Sequence, residues 1–202
     1  MNLSPSGLAI LVATLLLTGC STSPSEPAHA TVLEIPLSNQ IEQTLHVESG
    51  RHRNYYVQLP QDAIAGRTPI LLQLSIVRSN IDVTSTEGHW LAVAGACIQS
   101  GEPVRAVCIR LTRYEERGIL AAQGVRSSLE DGSASVTALA SSLAMDKPVA
   151  VTLTLNGSTV GFQFENGVVY EQLLDGNPTR LLLGCGSAVC VVKATFAAAS
   201  RP

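Results

Sequence analysis

The chain has 202 residues, a formal net charge of -3, 46% hydrophobic residues and only 4% aromatic ones. Mild acidity with two lysines, Lys147 and Lys193, excludes the basic face that a nucleic-acid partner demands and the polybasic patch that grips anionic lipid. The length suits one domain with a real core.

In chain order, the first element is Leu8 to Ser21, LAILVATLLLTGCS. Ten mostly apolar residues, Leu8 to Leu17, lead into Leu17-Thr18-Gly19-Cys20. A bilayer-spanning helix needs about 20 apolar residues, so the run reads instead as a signal-peptide core with a small-residue cleavage site. The segment before it, Met1 to Gly7, carries no Lys or Arg, where such signals usually have one. Either the α-amino group suffices or the true start lies upstream.

The tetrad Leu17-Thr18-Gly19-Cys20 resembles the lipobox of bacterial lipoproteins. That resemblance implies removal of residues 1–19, lipidation of Cys20, and a membrane partner reached through N-terminal acyl chains. Two or more chains anchor stably where one does not. Ser21, rather than Asp, implies an outer-membrane lipoprotein facing the periplasm or, less often, the cell surface. Residues 20–30 then form a lipidated Cys and flexible tether, STSPSEPAHA after the Cys. Ten extended residues reach about 30 Å.

Residues 31–197 read as one β-rich periplasmic domain. Thr31 to Pro36 is a first candidate strand. Ile41, Gln43, Leu45 and Val47 alternate with polar residues in a second, and Glu48-Ser49-Gly50 turns the chain. Tyr55, Val57 and Leu59 share one face of a third strand, ended by Pro60. After a turn-like QDAIAGRTP, residues 70–77, ILLQLSIV, are apolar on nearly both faces. They predict a central, fully covered strand, with Ile81 to Thr84 a short continuation.

Trp90–Ile98 and Arg105–Tyr114 predict a hairpin around Gly101-Glu102-Pro103. Placing Cys97 opposite Cys108 puts Gly95 against Arg110 and Val93 against Thr112. Val107, Ile109 and Leu111 then share the other face. Ile119 to Gln123 suggests a strand. Val136, Leu139, Ala140 and Leu143, spaced three, one and three apart, predict a short helix, with another strand as the alternative.

Val149, Val151, Leu153 and Leu155 alternate, and Asn156-Gly157, a strong hairpin turn, returns the chain through Val160, Phe162 and Phe164. Asn166-Gly167 turns it again into Val168 and Tyr170, giving an antiparallel meander. Residues 180–196 read as a last hairpin. The fold class is therefore mainly β: a single antiparallel β-sandwich or barrel-like domain with at most one short helix.

Four cysteines lie in this body, Cys97, Cys108, Cys185 and Cys190. An even count in an oxidising compartment reads as two disulfides, with three connectivities open. The sequential pairing is preferred because each pair flanks a hairpin, and each bridge contributes on the order of 2–3 kcal/mol for loops this short. Zinc is disfavoured by spacings of ten and four intervening residues. The order Trp90, Cys97, Cys108, Cys185, Cys190 is similar to the four-cysteine arrangement of the invasion-associated locus B family of bacterial envelope proteins. That resemblance covers residues 90–196 and implies a small extracytoplasmic β-sandwich of a family implicated in host interaction in some bacteria and without established enzymatic activity.

Motif reading yields no catalytic residue, metal site or cofactor. The four histidines, His29, His46, His52 and His89, fall in the tether or at strand faces and starts. Neither H-E-x-x-H nor G-x-S-x-G occurs. Glu115-Glu116 beside Arg113 and Arg117 reads as an exposed, self-neutralising turn. One cluster, Arg51-His52-Arg53-Asn54-Tyr55-Tyr56, has the chemistry to bind an anionic glycan, with Arg51, Arg53 and Tyr56 as the ligand-binding candidates. Three functions follow: a non-catalytic module that binds another envelope protein, a binder of peptidoglycan or lipopolysaccharide, and an enzyme with a site assembled from distant residues.

Overall fold

The computed structural model describes residues 39–81, 91–101, 104–128 and 132–196. The candidate strand at 31–36, the lipobox, the tether, residues 82–84, His89, Trp90 and Glu102-Pro103 lie outside them. Among the described residues twelve strands run in order: β1 (Gln40–His46), β2 (His52–Gln58), β3 (Ile70–Ser79), β4 (Ala92–Ser100), β5 (Arg105–Tyr114), β6 (Ile119–Ser128), β7 (Ala134–Leu143), β8 (Val149–Asn156), β9 (Thr159–Phe164), β10 (Val169–Leu173), β11 (Pro178–Gly186) and β12 (Ala188–Phe196). The first sheet has the order β1-β12-β3-β8-β9-β10 and the second β2-β11-β4-β5-β6-β7. All the pairings are antiparallel. The mainly-β sandwich expected from the alternation is the fold observed.

Alternation with period two gives each strand one apolar face, and the two apolar faces close on a single core. Leu72, Leu74, Leu153 and Phe162 enter it from the first sheet, and Ile98, Ile109, Leu111 and Leu183 from the second, each at most 1% exposed. The β4–β5 register is the expected one: Cys97 faces Cys108, Gly95 faces Arg110 and Val93 faces Thr112. The β8–β9–β10 meander also forms, with Gly157 and Gly167 at φ 60° and 83° in its two turns. Such positive φ values are what the Asn-Gly pairs supply.

Four sequence expectations are corrected. The QDAIAGRTP turn contains a single helical turn, α1 (Gln61–Ile64), which buries Ala63. The helix expected at 136–143 is strand β7. Its pairing with β6 shifts register twice, between the partners of Leu120, Ala122 and Gln123. Bulges insert extra residues, so the alternation of Val136, Leu139, Ala140 and Leu143 is re-phased into a spacing that mimics a helix. β3 is central, between β12 and β8, but it is covered on one face only: Leu71 is 52% and Val77 58% exposed.

The fourth correction concerns residues 180–196. β11 and β12 do not form a hairpin, because they belong to opposite sheets. A corner at Gly186-Ser187 carries the chain across, with Ser187 at φ 47°. Period-two alternation is the same for two paired strands and for two strands in facing sheets, so the pattern could not separate them. The corner is a polar hub: Ser187 N–H donates to Arg51 O (3.0 Å), and Ser187 O accepts from Asn80 N–H (2.8 Å). Ser187 Oγ accepts from Gly50 N–H (3.0 Å), and Asn80 Nδ2 donates to Val47 O (2.9 Å). Three sheet-to-sheet crossings are thereby fastened at one end of the sandwich.

Both disulfides form in the expected pairing, Cys97–Cys108 and Cys185–Cys190. The first lies on the outer face of the second sheet, in a small cluster with Ala106, Val125 and Leu182. The second crosses from β11 to β12 inside the main core, where Cys185 is 2% and Cys190 0% exposed.

An ion-paired arginine also joins the two sheets. Arg113 Nη1 donates to Ile76 O (2.9 Å) and Val77 O (3.3 Å), where β3 bulges opposite Val189 and Cys190. Its Nε sits 2.7 Å from Glu115 Oε1, which also accepts from Ser79 Oγ at 2.7 Å. The Ser79 hydroxyl, and then Arg113, hold the Glu115 carboxyl below its ordinary value against partial burial. Arg113→Ala should destabilise the fold by about 1–3 kcal/mol, the cost of stranding the part-buried Ile76 carbonyl. A depressed carboxyl contributes stability above its unfolded value of about 4.3 and loses it as pH falls through the lower folded value. Glu115→Gln should therefore flatten the acid limb of a Tm–pH curve below about pH 4, and only slightly, because Glu115 is half exposed.

Candidate functional site

The outer faces of the two sheets offer different surfaces. On the second sheet a cavity of about 50 Å³ has a mostly apolar lining that includes Leu91, Val93, Ile109 and Leu182, with Arg51, His52, Asn54 and Arg110 as its polar side chains and three glycines, Gly95, Gly184 and Gly186, in its wall. The glycines are needed for close packing. A Cβ on Gly95 would stand 2.7 Å from Ile109 O, one on Gly184 2.9 Å from Asn54 Oδ1, and one on Gly186 2.9 Å from a Val93 methyl. Arg110 lies across from Gly95 on one side and Gln123 on the other. It is 2% exposed, and its Nε and Nη2 both donate to Gln123 Oε1, the former at 3.1 Å. Burial lowers its pKa, yet a guanidinium keeps its proton in proteins. The result is a fixed cation in the lining of a narrow, largely apolar cavity with room for one or two waters or a carboxylate group, and too small for a sugar ring.

The three sequence candidates do not converge there. Arg51 lines the cavity. Arg53 pairs with Cys185 and so stands on the opposite side of β2 from its neighbours His52 and Asn54. Tyr56 shares their side but pairs with Leu182 and packs on the Cys97–Cys108 cluster. The cation over its ring is Arg180, at 5.3 Å, and Arg180 Nε also donates to Gln99 Oε1 at 2.8 Å. Sequence reading missed Arg110, although the β4–β5 register places it against Gly95. A charged residue opposite a glycine on a buried strand was the available signal.

The outer face of the first sheet is broader. One row across it reads Thr195, Leu71, Thr152, Gln163 and Val169, from β12 to β10. A depression of about 440 Å³ opens beside it, lined by Leu71, Gln73, Ala150, Thr152, Gln163 and Glu165. Leu71, Val169 and Leu173 each stand more than half exposed on this face. Three strand spacings, about 14 Å, separate Leu71 from Val169. The Glu42–Lys193 pair at 3.7 Å flanks the row. Among the described residues no three His, Cys, Asp or Glu side chains come together in a form that could hold a metal ion.

No family model matches the chain, and no curated protein matches it. Solved structures do. The galectin LEC-6 of Caenorhabditis elegans is 12% identical, the match covering 81% of this chain and 99% of that one, with a TM-score of 0.48. A Bacillus subtilis protein of unknown function with a galectin-like fold is 11% identical over 78% of this chain and 87% of its own, with a TM-score of 0.47. Fructan 1-exohydrolase IIa of Cichorium intybus is 10% identical over 78% of this chain but only 35% of its own, also at 0.47.

Proposed function

We propose that the mature chain is an envelope lipoprotein, anchored through Cys20, whose β-sandwich is a non-catalytic module for binding another envelope protein. The lipobox tetrad and the tether support the anchor, and two disulfides suit an oxidising compartment. The observation that carries the docking role is the outer face of the first sheet. Leu71, Val169 and Leu173 stand more than half exposed there among the neutral side chains Thr152 and Gln163, with Glu42, Lys193, Glu165 and Glu171 as a charged rim, and exposed apolar groups rimmed by polar ones mark interaction sites. In the depression, Glu165 is the single carboxylate among the lining residues.

Leu71→Asp with Val169→Asp tests this. Both side chains point outward, so Tm should hold. The unmodified protein should run in a complex with another envelope protein on native gels, and the variant should not. An undiminished complex would remove this face from the proposal. Cys20→Ser should release the protein from the membrane fraction, and continued fractionation with lipid would refute the anchor.

A second reading, binding of an anionic glycan, is favoured by the Arg51, Asn54 and Arg110 cavity. Its size restricts recognition to a carboxylate group of such a glycan. Arg51→Ala should weaken capture by peptidoglycan or lipopolysaccharide on this reading and leave the protein complex intact on the first.

A further inference from the structure

The two sheets have four edges: β1, β2, β7 and β10. Three carry a charge within the strand, Glu42 on β1, Arg53 on β2 and Glu171 on β10. Such charges guard an edge against pairing with another chain. β7, ASVTALASSL, has ten residues with neither charge nor proline. Among the described residues its far edge pairs with nothing.

The backbone of β7 is oriented to pair. Ser128 N–H donates to Ser133 O at 2.9 Å, so Ser133 faces β6. Antiparallel peptide groups alternate sides, which turns Ser135 toward β6 and Ala134, Val136 and Ala138 toward the open edge. From Ala134 to Ala138 the register with Ser127 to Gln123 is unbroken, and the bulges begin only after it. This flat stretch is about 17 Å long.

The flat stretch reads the same way, by residue class, in both directions: Ala134, Ser135, Val136, Thr137, Ala138. We propose that it pairs antiparallel with the same stretch of a second copy, about a two-fold axis at Val136. In that register Val136 opposes Val136, Ala134 opposes Ala138, and Ser135 opposes Thr137. Small, β-branched and hydroxyl pairs of this kind stabilise a ladder, and no charge is set against its like. Val136 packs on the Cys97–Cys108 cluster, so the axis joins two such clusters into one apolar strip. The two six-stranded sheets become one of twelve strands. An edge contact of this length belongs with the small, weak interfaces, so the dimer fills at high local concentration.

Ser135 and Thr137 are exposed and would face each other as a non-hydrogen-bonded pair, the spacing at which Cys97 and Cys108 are bridged on β4 and β5. Full-length Ser135→Cys protein mixed with Thr137→Cys protein should give a disulfide-linked dimer on non-reducing gels, several-fold more than either variant alone. Sedimentation of the unmodified protein should show a reversible dimer, which Ser135→Lys with Thr137→Lys abolishes while Tm is unchanged. A protein that stays monomeric at its highest soluble concentration overturns the proposal. So does a dimer without the mixed crosslink, or a lysine variant that loses only a different partner protein.

Discussion

Gly124→Ala is expected to destabilise the protein by about 3 kcal/mol, the upper part of the range for overpacking a core. At this size that lowers Tm by roughly 6–12 °C. Gly124 is on the inner face of β6, opposite Ile109. The Tyr170 ring reaches it from β10 of the other sheet, and an added Cβ would stand 2.5–2.6 Å from three ring carbons. Tyr170 is itself 4% exposed, beside the fully buried Phe162, so the ring has little room to withdraw. Alanine in place of glycine would ordinarily favour a strand by about 0.5–1 kcal/mol; here the clash outweighs that gain. Tyr170→Leu makes room, so the double variant should be more stable than the sum of the two single losses. Thermal unfolding of the four proteins checks this, and a neutral Gly124→Ala would mean the sheets are not this close.

Cys185→Ser with Cys190→Ser should cost about 3–5 kcal/mol, near the top of the range for losing a native disulfide. The bridge spans two sheets that share no ladder at this point. The new hydroxyls would also sit where exposure is 2% or less, and a buried hydroxyl costs energy unless it finds a partner. Leu45 O and Ala188 O, 3.8 and 3.5 Å from Cys185 Sγ, are the nearby acceptors. Cys97→Ala with Cys108→Ala should cost less, because β4 and β5 are already joined over eight registered residue pairs. Urea titrations of both double variants rank them, and the reverse order would contradict the corner as the weaker joint.

Much of the fold was legible because alternation and turn chemistry are local. The meander from Val149 to Tyr170 is written in its own period and its two Asn-Gly turns. The β4–β5 register followed once Cys97 was set against Cys108. What failed is non-local. β7 was hidden because two register shifts against β6 break its alternation, and register is a relation between two strands. The Gly186-Ser187 corner was hidden because facing sheets and paired strands demand the same apolar alternation. The candidate site shows both limits. Arg51, Arg53 and Tyr56 are near neighbours in sequence, but strand parity puts Arg53 and Tyr56 on opposite sides, and Arg180, 124 positions from Tyr56, takes the place over its ring. The row from Leu71 to Val169 is assembled from four strands and has no signature in any one of them.

A docking role is tested most directly by placing a photoreactive amino acid at position 71 in living cells of the source organism and irradiating them. One discrete adduct with another envelope protein, lost when Val169→Asp is added, is the expected result. Adducts with no protein from position 71, while the same probe at Arg51 captures glycan, would contradict it.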